Sequence, residues 1–310
     1  MQRYFLPKSI IFLLAVFFAF ACNPSSNKTK APVSPQEKLS GILKDELKLE
    51  MVIKQAGKTL WLYYPREESF IILSAGDEEA SVSKEYKESL SVNFLDTTFD
   101  GKTFKVDYDI GSVKAYEKNY GYTTGYQESF RQEQQNILSS VYRSFADEKT
   151  KPDFVVLVVT DITLGLEMTT YMAFNDLLRA FQDMSFGEEY TRRIVMETPK
   201  GSKSFIGDKK GRHLDFRELT WGEFLAKQIT YRVQYKYTRS AFRPGPDTEK
   251  ELLNIIIEAI SAYDYIGFSE VVLSDLASKL SKSFPQQDIL KRSADLKKNP
   301  PGRYIELKFM

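Results

Sequence analysis

The sequence predicts an α+β fold, with an antiparallel, hairpin-rich sheet in the N-terminal half and mixed helices and strands in the C-terminal half. Three observations predict it. Period-two apolar runs joined by tight turns occupy the first part of the chain, a long amphipathic helix pattern follows, and the second half interleaves strand-like runs with capped helices. The division falls softly near residue 150, giving parts 36–150 and 151–310 that also suit one continuous domain.

Taken in order, Ser34-Pro35-Gln36-Glu37 carries the Ser and Glu of a capping box with proline at the first helical position. Leu39, Ile42, Leu43 and Leu47 recur behind it at helical spacing, so a helix starts here. From Leu47 the period changes to two (Leu47, Leu49, Met51, Ile53). After Ala56-Gly57 the run TLWLYY returns, which reads as a hairpin. Further strands are expected at 69–73, 90–99 and 103–110, the last two joined through Asp100-Gly101, the strongest hairpin-turn signal in the chain. Phe130, Ile137, Leu138, Val141, Tyr142 and Phe145 form one stripe of a helix over 126–146.

The run DFVVLVVT (153–160) is continuous and β-branched, as a central strand buried on both faces requires, and 164–174 is expected to return beside it. Ser185/Glu188, Thr220/Glu223 and Thr248/Glu251 are spaced as capping boxes, each opening a helix. Between 229 and 238, Ile229, Tyr231, Val233, Tyr235 and Tyr237 alternate with polar residues. The favoured reading is a helix ending near Gln228 and then a strand; its rival is one continuous helix, because Phe224, Leu225, Ile229 and Val233 also fit a 3.6 period. Beyond Pro244-Gly245-Pro246 the pattern predicts a helix over 248–263, a strand over 267–273, a helical piece to Ser293 and a final strand over 303–309.

Composition narrows the function classes. With 42% hydrophobic and 27% charged residues and a mean hydropathy of −0.36, the chain is neither a polytopic membrane protein nor a disordered polyelectrolyte. Lys and Arg number 43 against 42 Asp and Glu. Nucleic acid is not an expected partner, since the basic excess that binding it usually leaves is absent, as is the excess expected for an anionic membrane.

The first 21 residues read as a removable export signal: MQRYFLPK holds two cations and no acid, and Ser9–Phe20 is nearly all apolar but shorter than a membrane span. Ala19-Phe20-Ala21-Cys22 then places small residues at −3 and −1 and the only cysteine at +1. This segment resembles the lipobox of bacterial lipoproteins, although Ala19 and Phe20 depart from the usual Leu and Ala/Ser. The resemblance implies cleavage between Ala21 and Cys22, acylation of Cys22, and attachment to a cell-envelope membrane. Asn23 would favour the outer membrane in a host that has one. Residues 22–35, rich in Pro, Ser and Asn, read as a tether reaching some 30–40 Å if extended.

Chemistry-bearing residues are few. His213 is the sole histidine, and with Cys22 committed to lipid no Cys–His catalysis, multi-histidine metal site or cofactor is indicated. Asp208, His213 and Asp215 share a glycine-containing loop, GDKKGRHLD, and are the candidates for a catalytic or ion-holding set. The alternative is a turn with a solvated histidine. Asp107 and Asp109 share a strand face and read as a solvent face; Ser25/Lys28 and Ser81/Lys84 match Ser-x-x-Lys by chance. Tyr116, Tyr120, Tyr122 and Tyr126 crowd around two glycines and are candidates for a surface that binds an envelope protein or polymer. The leading expectation is therefore a lipid-anchored envelope protein with a binding or structural role. Its alternatives are an envelope-polymer hydrolase using carboxylates and His213, and a small-ligand-binding lipoprotein.

Overall fold

The computed structural model describes residues 33–74, 90–112, 123–183, 187–197, 199–237 and 247–298. The export signal, most of the tether, Cys22, both Ser-x-x-Lys pairs, Tyr116, Tyr120, Tyr122 and the strand expected at 303–309 lie outside the described residues.

The fold is α+β, built on mixed rather than purely antiparallel sheets. In the central sheet β1 (Val52–Ala56), β2 (Thr59–Arg66), β7 (Phe154–Asp161) and β8 (Leu166–Ala173) lie side by side, and short β9 (Val195–Met196) and β10 (Lys200–Gly201) pair with β8. β1–β2 and β7–β8 are the antiparallel hairpins, but β2 runs parallel to β7, in register from Thr59↔Phe154 to Arg66↔Asp161. A second sheet is ordered β12 (Leu280–Pro285), β11 (Glu270–Asp275), β5 (Thr103–Ser112), β4 (Leu90–Phe99), with β5 parallel to β11. β3 (Ile71–Ser74) and β6 (Thr123–Tyr126) form a separate ribbon. Both sheets thus draw strands from either side of residue 150.

The two-faced burial of β2 and β7 organises the rest. Every residue of β7 is buried, so its side chains supply two cores. Leu60, Leu62, Val155, Leu157 and Val159 face one side, covered by α1 (Pro35–Gly41), α2 (Glu128–Phe145) and α3 (Phe174–Gln182). Trp61, Tyr63, Val156 and Val158 face the other, covered by α5 (Trp221–Tyr237), α6 (Thr248–Ser261) and the second sheet. Short α4 (Gly187–Arg193) precedes β9, and α7 (Gln286–Lys298) follows β12.

Four local expectations are corrected. The segment expected as a strand over 229–238 is helical to Tyr237, because Phe224, Leu225, Ile229, Val233 and Tyr237 all bury on one side while Tyr231 and Tyr235, four apart, stack at 5.9 Å. β1 begins at Val52, not Leu47: the first helix runs on as a π turn over Ile42–Glu46, and Lys48 takes a positive φ of 57°. The cap of α6 is Asp247, whose side chain accepts from the Lys250 amide at 3.0 Å, one residue before the expected Thr248. Residues 280–285, expected within a helical piece, pair with β11 as β12. By contrast, Ser34/Glu37 and Thr220/Glu223 form reciprocal capping contacts.

Candidate functional site

The 207–219 segment crosses the face of the central sheet that carries Tyr63. Two glycines with positive φ, Gly207 (71°) and Gly211 (61°), allow its bends, and a Cβ at Gly211 would stand 3.0 Å from the Tyr63 ring. Within the bend, Asp208 Oδ1 accepts from the Lys210 amide (3.0 Å) and Oδ2 from the Arg212 amide (2.8 Å). The Tyr63 hydroxyl donates to the Asp208 carbonyl. These contacts bring His213 back over Asp208, with Nδ1 2.9 Å from Asp208 Oδ2.

The other ring nitrogen meets the sheet. His213 Nε2 lies 2.5 Å from Glu167 Oε2 on β8, and that oxygen also accepts from Thr160 Oγ1 at 2.9 Å, across the β7–β8 pair in which Thr160 and Glu167 are register partners. The Phe205 ring (4.6 Å) and the edge-on Tyr63 ring (5.8 Å) flank the imidazole. The side chain of His213 is only 15% exposed, so the histidine is held between two buried carboxylates and is not solvated.

The electrostatics follow from this packing. Burial raises the Asp208 carboxyl, but the His213 hydrogen bond, the two backbone amides and the Arg212 guanidinium outweigh it and hold the group down at about 2. A neutral imidazole has one N–H and one lone pair, so both ring contacts are hydrogen bonds only when two protons are shared among the ring and its carboxylates. The arrangement fastens the loop to β8. With each nitrogen facing a carboxylate, neither is turned toward a serine or threonine nucleophile, as a hydrolytic triad needs.

Asp215 is not part of this set, which corrects the expected trio. Its side chain is 85% exposed, 3.9 Å from Arg217 Nε, because Leu214 and Phe216 on either side turn inward against the core. Glu167, which the sequence reading missed, takes its place. The available signal was the one charged residue in a strand returning beside a fully buried one, where a carboxylate needs a partner.

Of the tyrosine group, Tyr126 is described: it ends β6, half-buried and 5.9 Å from the Phe130 ring, with burial raising its hydroxyl. Asp107 and Asp109 sit half-buried on β5, with Asn93 Nδ2 3.4 Å from Asp109 Oδ1. Trp61 is a core residue, edge-on to Phe216, and Trp221 packs half-buried against the core at Phe154. Two open grooves flank residues 48–53; the larger, about 400 Å³, is bordered by Lys48, Glu50, Tyr64, Glu67 and Lys209. Among the described residues, no group of His, Cys, Asp and Glu is arranged to hold a metal ion, and no helix is long and apolar enough to cross a membrane.

Comparison with known proteins finds no matching family model, curated protein or solved structure.

Proposed function

We propose that this chain is a lipid-anchored cell-envelope protein whose folded part binds another envelope component or serves a structural role. One observation carries the reading: the sole cysteine follows Ala19-Phe20-Ala21 directly behind a short apolar run with a basic start. Two or three acyl chains on Cys22, at about 0.8 kcal/mol per buried methylene, would hold the protein stably to a bilayer. The engagement of both His213 nitrogens supports a non-catalytic role, because hydrolysis through this ring would first require Glu167 to be displaced.

Mass spectrometry of the native protein tests the proposal. The expected result is an N-terminus at Cys22 bearing acyl chains, with a Cys22→Ser form lost from the membrane fraction. An unmodified thiol, or a mature start downstream of residue 22, overturns it.

A further inference from the structure

The 207–219 segment is a strap over the Tyr63 face of the central sheet, and its two ends are fastened without a titrating group. At one end the Gly207 amide donates to the Ile162 carbonyl at 2.8 Å. At the other, Leu214 and Phe216 pack on the core and Trp61 Nε1 donates to the Arg217 carbonyl at 2.8 Å. Between these ends the strap reaches β8 through the contact of His213 with Glu167.

That contact depends on a proton. Asp208 keeps its charge far into the acid range, so it has no proton to give and His213 Nδ1 is the donor in their 2.9 Å contact. Nε2 lies 2.5 Å from Glu167 Oε2, which is a hydrogen bond only if one further proton sits between them, on the ring or on the carboxyl. Without it, a lone pair faces a carboxylate oxygen where the two side chains are 15% and 10% exposed and water screens poorly. The chain decides which ring contact gives way. Asp208 and His213 belong to one bend, tied by the Lys210 and Arg212 amides and the Tyr63 hydroxyl, whereas Glu167 comes from another element and can part from it.

The groups around the pair leave the change to these two side chains. On the strap, Arg212 Nε is 3.5 Å from Asp208 Oδ1 and stays charged. On β2, burial pushes the Tyr63 hydroxyl up to about 12, so it remains a neutral donor to the Asp208 carbonyl. Burial likewise pushes up the Tyr171 hydroxyl on β8. On β10, Lys200 is the register partner of Glu167, but its ammonium pairs with Glu197 at 2.9 Å. The Lys203–Phe205 turn presents the Phe205 ring to the imidazole and leaves Lys203 exposed.

We propose that the contact of His213 with Glu167 is a proton-operated clasp on the strap, closed while the pair holds one shared proton and open when that proton leaves. Losing the proton removes a bond, so the strap between Gly207 and Leu214 loosens as pH rises. Gly211, with φ of 61°, sits inside the loosened stretch and can take the change in backbone angle.

The test uses the chain from residue 22 onward, which retains every described residue, with Cys22→Ser so that acylation plays no part. Because the chain has one histidine, a nitrogen label on histidine reports this ring alone by NMR. Ring protonation and the exchange of the Lys210 and Arg212 amides, corrected for its intrinsic pH dependence, are followed between about pH 5 and pH 9. The ring is expected to pass from doubly protonated to the Nδ1–H form. Amide protection should fall about tenfold over the same interval, the worth of one charge-assisted hydrogen bond. In Glu167→Gln the new amide can donate to the unprotonated Nε2, so the strap should stay protected on the alkaline side. Circular dichroism and melting temperature establish that this variant is folded; if it is not, the two measurements on the unaltered site decide. A ring that keeps one protonation state throughout, protection that stays constant while the ring titrates, or a folded Glu167→Gln chain that loosens as the wild type does overturns the proposal. None of these outcomes bears on acylation of Cys22, which has its own test.

Discussion

At the scale of single residues, the informative contact is an imidazole held between carboxylates from two parts of the chain. Asp208 was legible because its partners Lys210, Arg212 and His213 lie within five residues, and two glycines in the same stretch announce the bend. Glu167 was not, because a contact over 46 residues leaves no local spacing to read. Asp215 was misplaced for a related reason: proximity along the chain says nothing about which side of an irregular segment a side chain takes. The depressed Asp208 carboxyl makes a pH prediction. Its folded value of about 2 lies below the ordinary value of 3.8. The group therefore contributes its stability fully above about pH 5 and loses it as pH falls toward 2, a contribution of order 2 kcal/mol. Urea unfolding of the wild type and Asp208→Asn should show a gap at pH 7 that closes progressively below about pH 4; a gap independent of pH would contradict the assignment.

At the scale of elements, periodicity and capping chemistry located most helices and strands, since both are set by nearest neighbours. The hairpin at Asp100-Gly101, the α2 stripe and the β7 run form where the pattern places them. The errors occur where two patterns compete. Residues 229–237 satisfy both a period of two and a period of 3.6, and packing of α5 against β4 and α6 selects the helix. Position 248 had the right side chain for a cap, yet Asp247 beside it has extended-like, non-helical backbone and accepts from the Lys250 amide. Asp247→Ala should therefore cost about 1 kcal/mol in thermal or denaturant unfolding and Thr248→Ala only a few tenths. The reverse order would return the cap to Thr248.

At the scale of the whole molecule, the soft boundary near residue 150 has a mechanical consequence. β2 finds its parallel partner in β7 and β5 finds its own in β11, so each sheet is closed only by strands from both sides. Fragments 33–150 and 151–310 expressed apart should lack native circular dichroism, while the intact chain unfolds in one cooperative transition; an independently folded fragment would refute this. Residue order alone carried the α+β class, most element positions, the candidate export signal with its cysteine, and the scarcity of catalytic side chains. All are matters of composition, local periodicity or fixed spacing. The parallel strand pairings and the exchange of Asp215 for Glu167 were decided by tertiary structure alone. Each depends on which distant segments share a sheet edge, and burial of β2 and β7 on both faces sets that without any local mark in the chain.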